Sequence, residues 1–285
     1  MGSFFRVFGF MGQVLGMVRQ NPMLLAPIAL NLLIAVPVNI ALAIALFFVP
    51  EQYASVVGNG LAIVGLTALY FIDYFASGLT SSMVYDQVTT GKAELGSATM
   101  RTLKASPGIL VFAAVSAALD LLSHLARERK GIMGVIGPIL LGIVRTVWTT
   151  ATYVVMPALV VEGRGFFDAL ARSKGLMNHD PTQVGVGVVG IGLVSFVLSL
   201  VTVFPAFAAF TFLARFGTLG AVAGILVFFS MVNLFWTVSG YLQSVYYTCF
   251  YLWAVECERH QSPSPQWAPA PLRNVLGDLQ PAAAW

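Results

Sequence analysis

The chain has 285 residues, 58% of them hydrophobic and 9% charged, with a mean hydropathy of +0.84 and a net charge of +3. Soluble domains carry roughly 25% charged residues, so this composition excludes a water-soluble fold: too few polar side chains exist to cover the apolar ones. The 15 basic and 12 acidic residues are scattered along the chain, and without a basic patch no nucleic-acid partner is expected.

The first 20 residues hold Arg6 and Arg19 and read as an interfacial helix over 4–18. Met1-Gly2-Ser3 opens like a myristoylation signal, but that signal wants Ser or Thr at position six, where Arg6 stands. Apolar runs then follow at 23–49, 56–85, 107–124, 132–161, 183–213 and 218–255. A spanning helix needs about 20 such residues, so an all-α, polytopic transmembrane bundle of six spans is expected. The first run is too long for the apolar core of a signal peptide and is expected to stay as an anchor. Pro37, Pro138, Pro157 and Pro205 fall inside runs and predict kinks.

Basic residues stay on the cytoplasmic side. With the N-terminus inside, that side holds Arg6, Arg19, Lys92, Arg101, Lys104, Arg164, Arg172, Lys174, Arg259 and Arg273, against Arg127, Arg129, Lys130 and Arg215 outside. Both termini are therefore expected in the cytoplasm, with residues 256–285 as a Pro-rich tail. The 127–130 cluster is the one loop against the rule.

Two inside loops read as amphipathic interfacial helices. In 163–177, Phe166, Ala169, Leu170, Ser173 and Leu176 share one face, and Asp168, Arg172 and Lys174 point away from it. In 91–103, Leu95, Ala98 and Thr102 point inward, and Arg101 and Lys104 outward. Each loop helix follows an inward-running span and precedes an outward-running one. This predicts an internal repeat over about 65–119 and 140–195, in which Ala98-x-x-Arg101 matches Ala169-x-x-Arg172. Both units start outside, so the repeat is of the parallel type. The last span with its tail, plus the N-terminal helix and first span, would make a third, circularly permuted unit.

Trp148, Pro157, Glu162-Gly163 and Ala169-Leu170-Ala171-Arg172-Ser173 form the most specific stretch, with weaker signals at Arg19-Gln20-Asn21-Pro22 and 247–253. In this order the pieces resemble a bacterial six-span integral membrane family of unassigned function. They are more distantly similar to the membrane domain of bacterial glycerophosphodiester phosphodiesterases. The resemblance covers 9–265 and implies the bacterial inner membrane and the six-span topology. Those phosphodiesterases keep catalysis in a separate soluble domain, which is not found here, so no catalytic residue carries over.

Ionisable residues deep in a span cost roughly 2.5–3.5 kcal/mol each on insertion scales and mark candidate sites. Asp73 and Arg145 sit mid-way along the second and fourth runs, and are expected to form an intramembrane ion pair, either a clamp between repeat units or the lining of a polar path. Asp120, His124 and Glu128 recur at i, i+4, i+8 and read as an ion-pair ladder, not a metal site, with Asp120 at a different depth from Asp73. Asn31, Asn39, Asn59, Asn233 and Gln243 read as cross-helix glue. Gly220-x-x-x-Gly224 gives a face for close helix approach, within the chain or to a second copy. Cys249 and Cys257 read as buried or interfacial thiols. No catalytic motif, cofactor site or metal site is found in the sequence. The expected function is a non-catalytic inner-membrane protein acting through membrane lipids, a membrane-protein partner or a homo-oligomer. The alternative is a channel or transporter for a small solute or ion with a polar path near Asp73 and Arg145.

Overall fold

Inside lipid every backbone polar group must be satisfied by its own segment, and for sequences this apolar the α-helix does so. In the computed structural model, which describes residues 2–47, 59–128, 132–179, 181–261 and 264–276, the described residues form helices and no strand. In chain order these are α1 (Gly2–Gln20), a 3₁₀ turn (Pro22–Leu25), α2 (Ala26–Phe47), α3 (Asn59–Thr90), α4 (Leu95–Glu128), α5 (Ile132–Val160), α6 (Phe166–His179), α7 (Pro181–Ala214), α8 (Gly217–His260), a second 3₁₀ turn (Pro265–Trp267) and α9 (Ala270–Leu276). Among the described residues, Pro22–Leu42, Ile63–Thr90, Leu95–His124 and Gly217–His260 are long and apolar enough to cross a membrane. Their outer surface is apolar too: Leu33 is 74% exposed and Leu219 86%, a surface suited to lipid contact.

Cross-helix hydrogen bonds set the packing directions. Tyr70–Asp120 and Tyr74–Ser116 make α3 and α4 antiparallel, since one number falls as the other rises. Ser77–Ser244 at 2.8 Å and Ser81–Thr248 at 2.9 Å rise together, so α3 and α8 are parallel. These hydroxyl-bearing, buried positions let the two helices approach closely. Helices α3, α5 and α8 contact one another; α4 covers α3 and α5, α2 covers α3 and α8, and α7 covers α8.

The inner helices α3 and α5 end at Gly91 (φ +75) and Gly163 (φ +65), left-handed positions where a side chain would be strained. The helix that follows each packs the same pattern inward: Ala98, Thr102 and Ala105 after α3, and Ala169, Ser173 and Leu176 after α5, are all buried. Both begin with the same local bond, Ala98 N–H to Glu94 O at 3.1 Å and Ala169 N–H to Gly165 O at 2.9 Å. Helix α1 presents buried Phe10 and Val14 to the end of α8, with the Phe10 and Tyr246 rings 5.5 Å apart. Asn21 then joins α1 to the Gly91 turn, donating to Gln87 Oε1 at 3.2 Å and Ala93 O at 3.3 Å.

Two elements differ in detail from the sequence expectation. The separate surface helix at 91–103 and the third span are one helix, α4, which runs through Pro107. A proline removes one backbone donor and normally breaks a helix; here Thr102, Ala105, Ile109 and Phe112 are buried on both sides of it and hold the two halves in line. The apolar face of α6 turns toward the bundle: Ala169 and Leu176 are buried, Ser173 Oγ donates to Val154 O at 3.3 Å, and Phe166 lies 4.8 Å from Phe112. Phe167, 79% exposed, is its outward apolar residue.

Residues after 255 continue α8 to a left-handed cap at Gln261 (φ 51) and then fold back. Trp267 stacks on His260 at 3.8 Å, and buried Ala268 and Leu272 join Phe10 and Val14 in one core. The end of the expected tail, 277–285, lies outside the described residues, as do Arg129 and Lys130.

The Gly220-x-x-x-Gly224 face meets α7 of the same chain. A β-carbon on Gly220 would stand 2.1 Å from the Leu213 carbonyl oxygen, and one on Gly224 would stand 3.1 Å from Phe210. Gly220→Ala is therefore expected to open the α7–α8 hairpin and cost about 1–3 kcal/mol, read as a lower melting temperature in detergent; an unchanged melt would show that the turn yields freely.

Candidate functional site

A cavity of about 480 Å³ lies among α2, α3, α4 and α8, with Trp148 of α5 on its wall. Polar side chains reach it from each of these helices because they recur at helical spacing on α3 (Tyr70, Asp73, Tyr74, Ser77) and face partners across the seams. Asp73 keeps accessible surface because it faces this space. Asn31 Nδ2 donates to Asp73 Oδ1 at 2.9 Å, while Asn31 Oδ1, on a residue only 6% exposed, has no hydrogen-bond partner.

Asp120 lines the same cavity and accepts a hydrogen bond from the Tyr70 hydroxyl. Tyr70 precedes Asp73 by three residues, so the two carboxylates differ in depth by only about 4.5 Å of helix rise. Ser116 carries the next level, accepting from Trp148 Nε1 at 2.8 Å and lying 2.7 Å from the Tyr74 hydroxyl. The Tyr70 and Tyr74 rings stack at 5.8 Å, and Trp236 and Tyr241 close other walls. Asn39 donates to Asn233 Oδ1 at 3.4 Å across α2 and α8. Among the described residues, the lining includes no Lys, Arg or His, and no three His, Cys, Asp or Glu side chains converge as a metal site would need. Arg145 belongs to α5, one turn before Trp148, but its side chain, and with it the expected pair with Asp73, lies outside the described residues.

Arg101 and Arg172, matched in the expected repeat, sit elsewhere, at the ends of the inner helices. Arg101 pairs with Asp86 of α3. Arg172 donates to Glu258 Oε1 from Nη1 at 2.9 Å and approaches Glu162 Oε1 to 3.8 Å. Glu162 also accepts from the Tyr251 hydroxyl and from Arg164, so the α5 end, α6 and α8 are tied at one point. Leu170 is half-buried and Lys174 exposed on the same helix. Burial works against the Glu162 charge, but Tyr251, Arg164 and Arg172 outweigh it and hold the carboxyl below the usual carboxylate range. Glu258 beside Arg172 raises the guanidinium above its usual value, so this group stays charged.

A carboxyl whose folded pKa is depressed contributes stability that is full above its unfolded value, 4.5 for Glu162, and is lost as pH falls through the folded one. The melting temperature in detergent is therefore expected to fall as pH drops below 4.5, and Glu162→Gln to flatten that slope. An identical acid limb in the variant would remove Glu162 from the account.

The network was legible only in part: Asp73 stood out as an ion in an apolar run, while the Tyr70–Asp120 bond and the placement of Asn31 beside Asp73 needed the helix register. No curated protein and no solved structure matches the chain. Residues 61–261, which contain both carboxylates and run from α3 to the cap of α8, match a family of unknown function (DUF6159), and the chain belongs to that family.

Proposed function

We propose that this chain is a multi-pass membrane protein that receives a small solute in a cavity inside its helix bundle and passes it across the membrane. The observation that carries this reading is the cavity itself, placed mid-way along α3 and lined from several helices, with the carboxylates of Asp73 and Asp120 on its mainly apolar wall. A protein working by surface contact alone needs no such space, whereas polar and ionisable groups facing a cavity inside a bundle mark substrate pathways. The residues we assign to it are Asp73, Asn31 and Asp120. No catalytic role is proposed.

In this reading α5 and α7 also cross the membrane, giving six spans with both termini in the cytoplasm of a bacterial inner membrane. The units are α3–α4, α5–α6–α7 and α8–α1–α2, a parallel repeat with α3, α5 and α8 at its centre. The matching buried patterns after α3 and α5, and at α1, support it. A second reading, contact with anionic lipid or a partner membrane protein at the cytoplasmic face, is favoured by exposed Phe167 beside Lys174 and by exposed Met100 and Leu103 beside Lys104.

Proteoliposomes holding the purified chain test transport directly. Uptake of a cationic, an anionic and a neutral organic solute of similar size is followed, and one class is expected to enter faster than in protein-free liposomes. Asp73→Asn should reduce that uptake at least about tenfold, the scale of a lost charged contact. Equal leakage with and without protein for all three classes would overturn the reading.

A further inference from the structure

The ligand's chemistry follows from what lines the space. Two carboxylates, Asp73 and Asp120, line the cavity, and among the described residues no Lys, Arg or His does. Asp73 has the Asn31 amide as its polar partner, and a carboxylate in a low-dielectric setting needs a positive charge or further donors beside it. Asn31 adds a second observation that does not depend on charge: its Oδ1 is an acceptor without a partner on a residue 6% exposed, beside the amide group that already serves Asp73. The Asn31 amide donates to Asp73 without supplying a positive charge.

The size and walls of the space separate the possible cations. A proton needs no cavity, and a bare metal ion needs six or more oxygens drawn to about 2.0–2.6 Å, whereas about 480 Å³ is the space of a small organic molecule. Tyr70, Tyr74 and Trp148 line it on the side of the carboxylates. Aromatic faces attract alkylammonium groups, by about 0.5–2 kcal/mol each, and shed water that a metal ion would keep. We infer that the cavity binds a small organic cation, a protonated or quaternary amine, with its charge at Asp73 and its alkyl groups against the tyrosine and tryptophan rings. This rests on the reading of the cavity as a solute site.

Choline and 3,3-dimethylbutan-1-ol share one shape and differ by the fixed positive charge, so they separate charge recognition from simple filling. Titration calorimetry of the full chain in detergent is expected to show saturable choline binding, at least tenfold weaker or absent for the neutral alcohol, and undisturbed by a large excess of sodium. Asp73→Asn should weaken choline at least tenfold, and Tyr74→Leu about threefold or more. The comparison of the two probes uses the unmodified chain and stands even where a variant fails to fold. Equal binding of both probes, displacement by sodium, no binding of choline at all, or unchanged choline affinity in a folded Asp73→Asn variant would each overturn the inference. The liposome assay keeps the two readings apart. Choline bound but not transported supports this ligand class and removes transport; Asp73-dependent uptake of a neutral or anionic solute without choline binding keeps transport and removes the cation.

Discussion

Arg145→Gln should lower the melting temperature of the detergent-solubilised chain by the equivalent of about 3–5 kcal/mol, the cost of leaving one member of a buried pair alone. Arg145 stands mid-way along the apolar run of α5, and a bare cation there is expensive. Its partner is set by register. Helices α4 and α5 run antiparallel, with Trp148 against Ser116, so the Arg145 backbone, about 4.5 Å further along α5, stands near the level of Asp120. Asp73, about one turn away, already receives Asn31. Arg145→Gln combined with Asp120→Asn is therefore expected to recover much of the lost stability, and combined with Asp73→Asn to add to the loss. Recovery with Asp73→Asn instead would restore the pair read from the sequence and leave Asp120 to the ligand. Strict additivity with both carboxylates would show that Arg145 pairs with neither.

How far the sequence carried the account depends on which physical property each element expresses. Length and apolarity are one-dimensional, so the existence of helices at each expected run was readable, and so were the turns at Gly91 and Gly163 that precede surface segments. The inward pattern Ala169, Ser173, Leu176 was readable from period alone, but what it faced was not: a face of small residues suits a bundle as well as a lipid surface, and only packing against Phe112 and Val154 decides. Pro107 misled for a related reason. Its cost is local and certain, while the tertiary contacts of Thr102 and Ile109 that offset it involve residues far along the chain. The cavity was half legible. Asp73 stood out as an ion in an apolar run, yet Asn31 and Asp120 reached it only through interhelical register, which one period of hydrophobicity does not contain. Arg172 shows the same limit: it was assigned to a solvated face, and it is instead clasped by Glu258 of a helix 86 residues away.

Phe112→Ala should be the most damaging apolar substitution in the described bundle. Phe112 is fully buried in α4, with Trp148 at 5.3 Å, Phe166 at 4.8 Å and Tyr74 at 6.4 Å between ring centroids. It joins α3, α5 and α6 behind the cavity wall, so it supports the residues that hold Ser116 and shape the site. In water, Phe→Ala in a core costs about 3–5 kcal/mol. Part of that is transfer from water, which contributes little when the alternative surroundings are lipid as apolar as the ring. What remains is lost packing around a hole, so about 3 kcal/mol is expected, with Phe112→Leu costing less than about 1.5 kcal/mol. The two variants also separate stability from function. If Phe112 only supports the wall, Phe112→Ala should weaken choline binding in proportion to its loosened cavity, while Phe112→Leu melts and binds nearly as the unmodified chain does. Equal melting of both variants with the unmodified chain would mean that α3, α5 and α6 are held together without this residue, and that the cavity wall is set by the Ser116 hydrogen bonds to Tyr74 and Trp148 alone.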